Sequence, residues 1–258
     1  MPHRLPSVFV SHGSPMHALE PGPAGEAWAA LGRRMGRPHA IVIASAHWET
    51  DRPLLTGAAR PQTIHDFYNF PEPLYRLRYP APGAPALAER AKELLLGKGF
   101  PAGIDAGRGL DHGAWSPLLY MYPDADVPVV QLSIQPALGP QHHLEMGKAL
   151  EPLAAENVLV IGSGHLTHNL RDWARGSGAP APYAREFQAW VYERINDRKP
   201  QELVRYRSLS PQGVRAHPTD EHFLPLFVAL GAAGDGAPER VYDAIDSGVL
   251  AMDAYVFS

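Results

Sequence analysis

Histidines follow three short apolar runs of this sequence, each near the point where the run ends. The runs and their histidines are residues 8–10 with His12, residues 41–46 with His47, and residues 158–161 with His165 and His168. Neutral imidazole is the commonest protein ligand of divalent transition metals. Three chain segments that deliver histidine at the same kind of position therefore predict a metal site.

The elements that would position these histidines are buried strands. Uninterrupted, β-branched apolar runs bounded by proline and polar residues are typical of strands covered on both faces. In open α/β sheets, ligands bind beyond the carboxyl ends of such strands. Because helical segments alternate with the strands, we expect an α/β fold: a single domain over residues 1–258 with a central mixed, mostly parallel sheet flanked by helices.

Periodicity and breaker residues predict the individual elements. The expected strands cover residues 6–11, 41–47, 127–134, 158–163, 241–242 and 252–257. The expected helices cover residues 24–35, 84–96, 140–155 with a kink or an early end at Pro152, 181–197, 200–207 and 220–231. Residues 51–85 are rich in proline and aromatics, so we expect an extended excursion that wraps over the site.

Composition restricts the functional class. The chain has 258 residues, of which 45% are hydrophobic, and this is enough for a sizeable core. Its net charge of −4 gives no reason to expect nucleic acid or an anionic membrane as partner. The absence of cysteine excludes disulfides and thiolate ligands. No signal pattern and no apolar run near the ~20 residues of a membrane span is present, so we expect a cytoplasmic protein. The oligomeric state stays open.

The third metal ligand is not fixed by these patterns. His12 and His47 supply two ligands, and the third must come from His168, His222 or Glu221. Two histidines and one carboxylate are common in non-heme Fe(II) sites, but Glu221 in the first turn of a helix would also complement the helix dipole, and we favour that interpretation. The scattered histidines at positions 3, 17, 39, 142 and 143 are interpreted as ordinary polar residues.

Other chemistries have weaker support. Gly162-Ser163-Gly164 resembles a fragment of a nucleophile elbow, yet the full G-x-S-x-G pattern is absent. Neither a G-x-G-x-x-G turn after a strand nor a phosphate-binding loop with lysine is present. Nucleotide binding is therefore not expected.

Seven motifs together resemble one enzyme family. They are His12-Gly13-Ser14-Pro15, Ser45-Ala46-His47-Trp48, Thr63-Ile64-His65-Asp66-Phe67, Leu110-Asp111-His112-Gly113, Gln131-Leu132-Ser133-Ile134, Ser163-Gly164 through His168-Asn169-Leu170, and residues 218–226. In the same order, from about residue 7 to the last residues, they resemble the DOPA-type extradiol ring-cleavage dioxygenases of the class III (LigB-like) superfamily.

The resemblance implies roles for particular residues. It implies metal ligation by His12, His47 and His222, with His168 as a further ligand or as the acid/base. His112 resembles the second active-site histidine, which would orient substrate or dioxygen and is the alternative acid/base. More distant members of the superfamily use glutamate as the third ligand, so the neighbouring Glu221 stays an alternative to His222.

The implied reaction is oxidative ring cleavage of a catechol by dioxygen at Fe(II), with these two small molecules as partners. Zn(II) would suit the same histidines but has no redox chemistry. The alternatives are a zinc-dependent hydrolase that uses metal-bound hydroxide, and a protein whose histidines bind metal only to hold the fold. Trp48, Phe67, Tyr68 and Phe70 are expected to form dry walls around the substrate.

Overall fold

The computed structural model describes residues 4–173 and 179–258. The strands are β1 (Ser7–Ser11), β2 (Ala40–Glu49), β3 (Leu54–Thr56), β4 (Gly103–Asp105), β5 (Val129–Ile134), β6 (Val158–Gly164), β7 (Pro238–Tyr242), β8 (Ile245–Asp246), β9 (Leu250–Ala251) and β10 (Ala254–Phe257). The α-helices are α1 (Gly22–Met35), α2 (Glu72–Arg76), α3 (Pro85–Gly97), α4 (His112–Met121), α5 (Gly139–Leu150), α6 (Leu170–Trp173), α7 (Pro182–Asn196), α8 (Pro200–Leu203), α9 (Tyr206–Leu209), α10 (Gly213–Ala216) and α11 (Leu224–Ala232). Across these described ranges, no helix is both long and apolar enough to cross a membrane.

Parallel strands form the centre of the main sheet. Among the described residues, eight strands pair in the order β4-β3-β5-β2-β6-β1-β10-β7. The four strands β5, β2, β6 and β1 are parallel, whereas β3 pairs antiparallel with β5, and β10 pairs antiparallel with β1 and β7. This topology confirms the expected α/β fold with a mixed, mostly parallel sheet. It also brings the carboxyl ends of β1, β6 and β2 side by side.

Both faces of the sheet are covered, which explains the uninterrupted apolar run of β2. Ile41 and Ile43 belong to the core on the face covered by α1 and α4. The alternate residues Val42 and Ala44 belong to the core formed with α3, α5 and α11. Since successive side chains of a strand point to opposite faces, His47 follows Ile41 and Ile43 toward α4.

Several predicted boundaries differ from the structure. The helix expected over residues 220–231 begins at Leu224, because Pro225 occupies its first turn and the preceding residues form turns. Residues 200–207 form two single-turn helices instead of one helix. The early end of α5 near Pro152 is confirmed, since α5 stops at Leu150 and a 3-10 helix follows. Residues 51–85 are mostly irregular, as predicted, but contain β3 and the short α2.

Candidate metal centre

Three histidines from separate segments meet at the carboxyl ends of the parallel strands. The Nε2 atom of His47 lies 3.1 Å from Nε2 of His12 and 3.2 Å from Nε2 of His222. Ligand atoms bound to one metal at about 2.0–2.1 Å, with angles of about 90–109° between them, lie about 2.9 to 3.4 Å apart. Both separations fall in this range, and the ligand atoms of all three residues lie within 4.8 Å of one another, so the three imidazoles could hold one ion.

Burial keeps these imidazoles in the form that binds metal. It lowers the pKa of His12 and of His222 well below the ordinary value, and neighbouring histidines lower both further. Burial and His112 likewise lower the pKa of His47, although the charge of Asp66 opposes the change. Metal coordination needs the neutral ring. The donor set therefore suits a divalent metal that accepts imidazole nitrogen, such as iron(II) or zinc.

The other ring nitrogen of each histidine has an oxygen neighbour. Nδ1 of His12 lies 3.1 Å from Oγ of Ser163, and Nδ1 of His47 lies 3.4 Å from Oδ2 of Asp66. Such contacts fix the tautomer and the ring direction of metal-binding histidines. The oxygen neighbour of Nδ1 of His222 belongs to Glu221. In all three histidines Nδ1 therefore faces the protein, and Nε2 is left for the cluster.

Glu221 lies on the Nδ1 side of His222. Its Oε1 atom is 3.2 Å from His222 Nδ1 and accepts a hydrogen bond from the hydroxyl of Thr219 at 2.9 Å. A carboxylate in this position holds the imidazole from behind. Because Glu221 precedes α11 by three residues, it lies outside the first turn, and the interpretation of Glu221 as a helix-dipole partner is wrong.

Two glycines of β6 let the segment with His222 approach the sheet. The backbone N–H of His165 donates to the carbonyl oxygen of His222 at 2.7 Å. A Cβ atom on Gly164 would lie 2.1 Å from that same oxygen, and a Cβ atom on Gly162 would lie 2.0 Å from the oxygen of Pro225. These glycines therefore serve the close packing of residues 222–225 against β6.

His112 is held by a carboxylate from the proline-rich segment. It begins α4, and Asp66 accepts two hydrogen bonds from it at 2.9 Å, one from the backbone N–H and one from Nδ1. Burial alone would raise the pKa of Asp66, but these hydrogen bonds and the nearby histidines lower it to about 2. The ring centroids of His112 and His47 lie 4.0 Å apart. Asp66 is thus an ionised group in contact with both rings, and these three residues form a further possible cation-binding group.

His168 joins the cluster through His222. The two rings are stacked with centroids 3.5 Å apart and planes inclined by 13°. Nδ1 of His168 lies 3.9 Å from Oε1 of Glu221, and these two residues form another possible ligand group with His222. Burial, and then His112, lowers the pKa of His168 to about 4.

The remaining histidines differ in their surroundings. His165 is buried with its ring centroid 4.9 Å from that of His12, and its Nδ1 has no hydrogen-bond partner in the described part of the chain. His217 donates from Nε2 to the carbonyl oxygen of Leu166 at 2.8 Å. His143 accepts a hydrogen bond from the backbone of Gln135, in line with an ordinary polar role. His3 lies outside the described residues.

The expected aromatic walls are only partly formed. Phe67 is buried and contacts the edge of His112, with ring centroids 5.6 Å apart. Tyr68 is 82% exposed, so its placement in a dry wall was wrong.

Sequence patterns did not assign Asp66 or Ser163. Asp66 was part of the motif around His65, which marked the segment without indicating what its carboxylate would contact. Ser163 was considered only as part of an incomplete nucleophile elbow. Both contact histidines that are far away in the sequence, with separations of 46 residues to His112 and 151 residues to His12.

Comparisons with known proteins identify the family of this chain. The family model described as the catalytic LigB subunit of aromatic ring-opening dioxygenase matches residues 6–257. A protein of Beta vulgaris named 4,5-DOPA dioxygenase extradiol is 42% identical over 98% of this chain and 96% of its own length. A protein of the same name from Escherichia coli (strain K12) is 42% identical over 96% of this chain and 93% of its own.

A solved structure agrees over the whole chain. The crystal structure of an uncharacterized Escherichia coli K12 protein superposes with a TM-score of 0.85 at 38% sequence identity, covering 99% of this chain and 100% of that one. The resemblance drawn from the seven motifs is thereby confirmed. The chain belongs to the LigB family of catalytic subunits of aromatic ring-opening dioxygenases.

Proposed function

We propose that this protein is a non-heme, metal-dependent extradiol dioxygenase that opens the ring of a DOPA-like catechol with dioxygen. Its relatives named 4,5-DOPA dioxygenase extradiol match nearly the full chain, which supports this reaction. The observation that carries the proposal is the approach of Nε2 of His47 to Nε2 of His12 and to Nε2 of His222, at separations that suit ligands of one ion. We further propose that residues 1–258 act as one catalytic domain.

We assign metal binding to His12, His47 and His222, with His168 adjacent as acid/base or as a further ligand. Iron(II), when bound there, supplies the redox chemistry that makes dioxygen reactive toward a catechol. Zinc fits the same three nitrogens but cannot change oxidation state. We therefore propose Fe(II) as the active metal and Zn(II) as an inactive occupant.

Two histidines are suited to moving the protons of the substrate. The carboxylate of Asp66 holds Nδ1–H of His112, so Nε2 of this ring is left to accept a proton, and the carboxylate stabilises the imidazolium that results. His168 is neutral at pH 7 because its pKa is lowered to about 4. The neutral ring can accept a proton, and the lowered pKa makes the protonated ring a stronger acid, which favours the later return of that proton.

The zinc-dependent hydrolase is not favoured. The family match and the names of the relatives point to oxygen chemistry over nearly the whole chain. A purely structural metal is likewise less well supported, because His112 and His168 lie against the cluster without being needed to complete a three-nitrogen site.

Oxygen uptake tests the proposal. Metal-free protein is loaded with Fe(II) under anaerobic conditions and mixed with L-DOPA, and oxygen consumption and a yellow product are followed after air is admitted. We expect about one O₂ consumed per catechol with Fe(II) and none with Zn(II). Hydrolysis of esters or amides by the zinc form would support the hydrolase. No uptake with any catechol would contradict the proposal, and unfolding as the sole result of metal removal would support a structural metal.

Three alanine variants assign the roles in the same assay. His47→Ala is expected to lose both bound metal and oxygen uptake. His112→Ala is expected to keep the metal and lose the uptake. His39→Ala is the control, because this histidine is exposed on the surface, and it should keep both. Full activity in either of the first two variants would refute the assignment of that residue.

A further inference from the structure

The hydroxyl of Ser163 connects a proposed ligand with the first turn of α4. Its Oγ atom is fully buried and lies 2.5 Å from the carbonyl oxygen of Gly113 and 3.1 Å from Nδ1 of His12. A serine hydroxyl has one hydrogen, and a carbonyl oxygen can only accept. The hydrogen of Ser163 must therefore point to Gly113. Its oxygen is left to accept a hydrogen bond from His12.

This arrangement decides the tautomer of His12. If Ser163 accepts, Nδ1 of His12 carries the hydrogen, and in the neutral ring Nε2 then carries the lone pair. That Nε2 atom is the one that lies 3.1 Å from Nε2 of His47. We infer that Ser163 is a positioning residue that fixes His12 as the Nδ1–H tautomer and so prepares its Nε2 for metal; this inference rests on the proposed function.

Ser163 differs from the groups behind the other two proposed ligands. His222 and His47 face the carboxylates of Glu221 and Asp66, and an ionised carboxylate can only accept hydrogen bonds. A hydroxyl could equally donate, which would favour the opposite tautomer. The direction is settled by the Gly113 carbonyl, so the tautomer of His12 depends on where the first turn of α4 lies.

That turn is held closely in place. The carboxylate of Asp111 caps α4 by accepting from the backbone N–H of Ala114 at 3.2 Å, and it also accepts from the hydroxyl of Ser45 on β2 at 2.7 Å. A Cβ atom on Gly113 would lie 2.4 Å from the same Ser45 hydroxyl oxygen. The absence of a side chain at Gly113 thus allows the carbonyl to reach Ser163.

Zinc affinity of a variant pair tests the inference. Ser163→Ala removes the acceptor, and loss of such a partner behind a metal ligand typically weakens metal binding about 10- to 100-fold. Ser7→Ala is the matched control, because Ser7 is also a buried serine of the central sheet whose hydroxyl donates to a backbone carbonyl, that of Ala229 at 2.7 Å. Competition with a chromophoric chelator should show weaker zinc binding for Ser163→Ala and unchanged binding for Ser7→Ala.

Nitrogen NMR of the zinc-loaded parent protein gives a second measurement that needs no variant. We expect a hydrogen on Nδ1 of His12, protected from exchange, and zinc on Nε2. A hydrogen on Nε2, or equal zinc affinity of Ser163→Ala and the parent, would overturn the inference. Failure of the parent itself to bind zinc or iron would instead refute the proposed function, so the two failures are distinguishable.

Discussion

Replacement of Asp66 by asparagine should reverse the tautomer of His112 with little effect on the fold. The carboxylate accepts two hydrogen bonds from His112, at the backbone N–H and at Nδ1, both at 2.9 Å. The asparagine amide has the same shape as the carboxylate, but its oxygen accepts hydrogen bonds and its NH₂ group donates them. Because the backbone N–H can only donate, the amide oxygen must face it and the amide NH₂ must face Nδ1. The ring can satisfy this donor only by moving its hydrogen to Nε2.

The expected effects on stability and on turnover differ in size. A carboxyl group whose pKa falls from 3.8 to about 2 on folding contributes about 2 kcal/mol of stability at neutral pH. Loss of that charge should lower Tm by about 4 to 8 °C for a chain of this size. If His112 accepts or returns a proton at Nε2, blocking this atom with a hydrogen should lower kcat by about 10² to 10⁴.

Both effects can be measured on the Fe(II)-loaded enzyme. Thermal unfolding gives Tm, initial oxygen uptake with L-DOPA gives kcat, and nitrogen NMR of the zinc form gives the tautomer of His112. Asp126→Asn is the control, since it removes a carboxylate that pairs with Arg37 on the surface and should leave all three unchanged. An Asp66→Asn variant with kcat within about threefold of the parent and an unchanged tautomer would refute the reasoning.

Three further predictions concern other parts of the molecule. Gly164→Ala should lower stability by about 1–3 kcal/mol and weaken zinc binding, because its Cβ would lie 2.1 Å from the His222 oxygen. Gly97→Ala is the control, because no atom outside its chain neighbours and its own helix lies within 4 Å of the added carbon. In chemical unfolding and chelator competition this control should lose no stability and keep its zinc affinity. Burial raises the pKa of Asp253 to about 7. The contribution of the protonated side chain to stability is therefore complete below about pH 4 and is lost as the pH rises through 7. The urea midpoint of Asp253→Asn should depend less on pH between 5 and 8 than that of the parent, and an unchanged dependence would contradict the assignment. Removal of bound metal with a chelator should lower Tm, because the ligand atoms come together only in the folded chain, and an unchanged Tm would argue against a metal held by these histidines.

The sequence was sufficient to place His12 and His47, but it did not indicate which residues would hold their rings. Apolar β-branched runs identify buried strands, and parallel strands in one sheet bring their carboxyl ends together, so the positions of two proposed ligands follow from pattern alone. His222 was one of three candidates for the third ligand, and only the family resemblance favoured it, because its turn has no periodicity and Pro225 shifts the helix that follows. The contacts of Asp66 and Ser163 join segments that are distant in the chain, and no local pattern in one sequence reports which hydroxyl or carboxylate will face which imidazole.

The closeness of the His222 turn to β6 has a consequence for biosynthesis. On a growing chain, β1 and β2 are made early, with His12 and His47, whereas residue 222 follows more than 170 residues after His47. The glycine-lined surface of β6 can receive that turn only after residues 222–225 have left the ribosome. The proposed three-nitrogen site is then the product of late docking, so we expect the nascent chain to acquire its metal after synthesis of this segment, and chains that stop before residue 219 to bind it poorly.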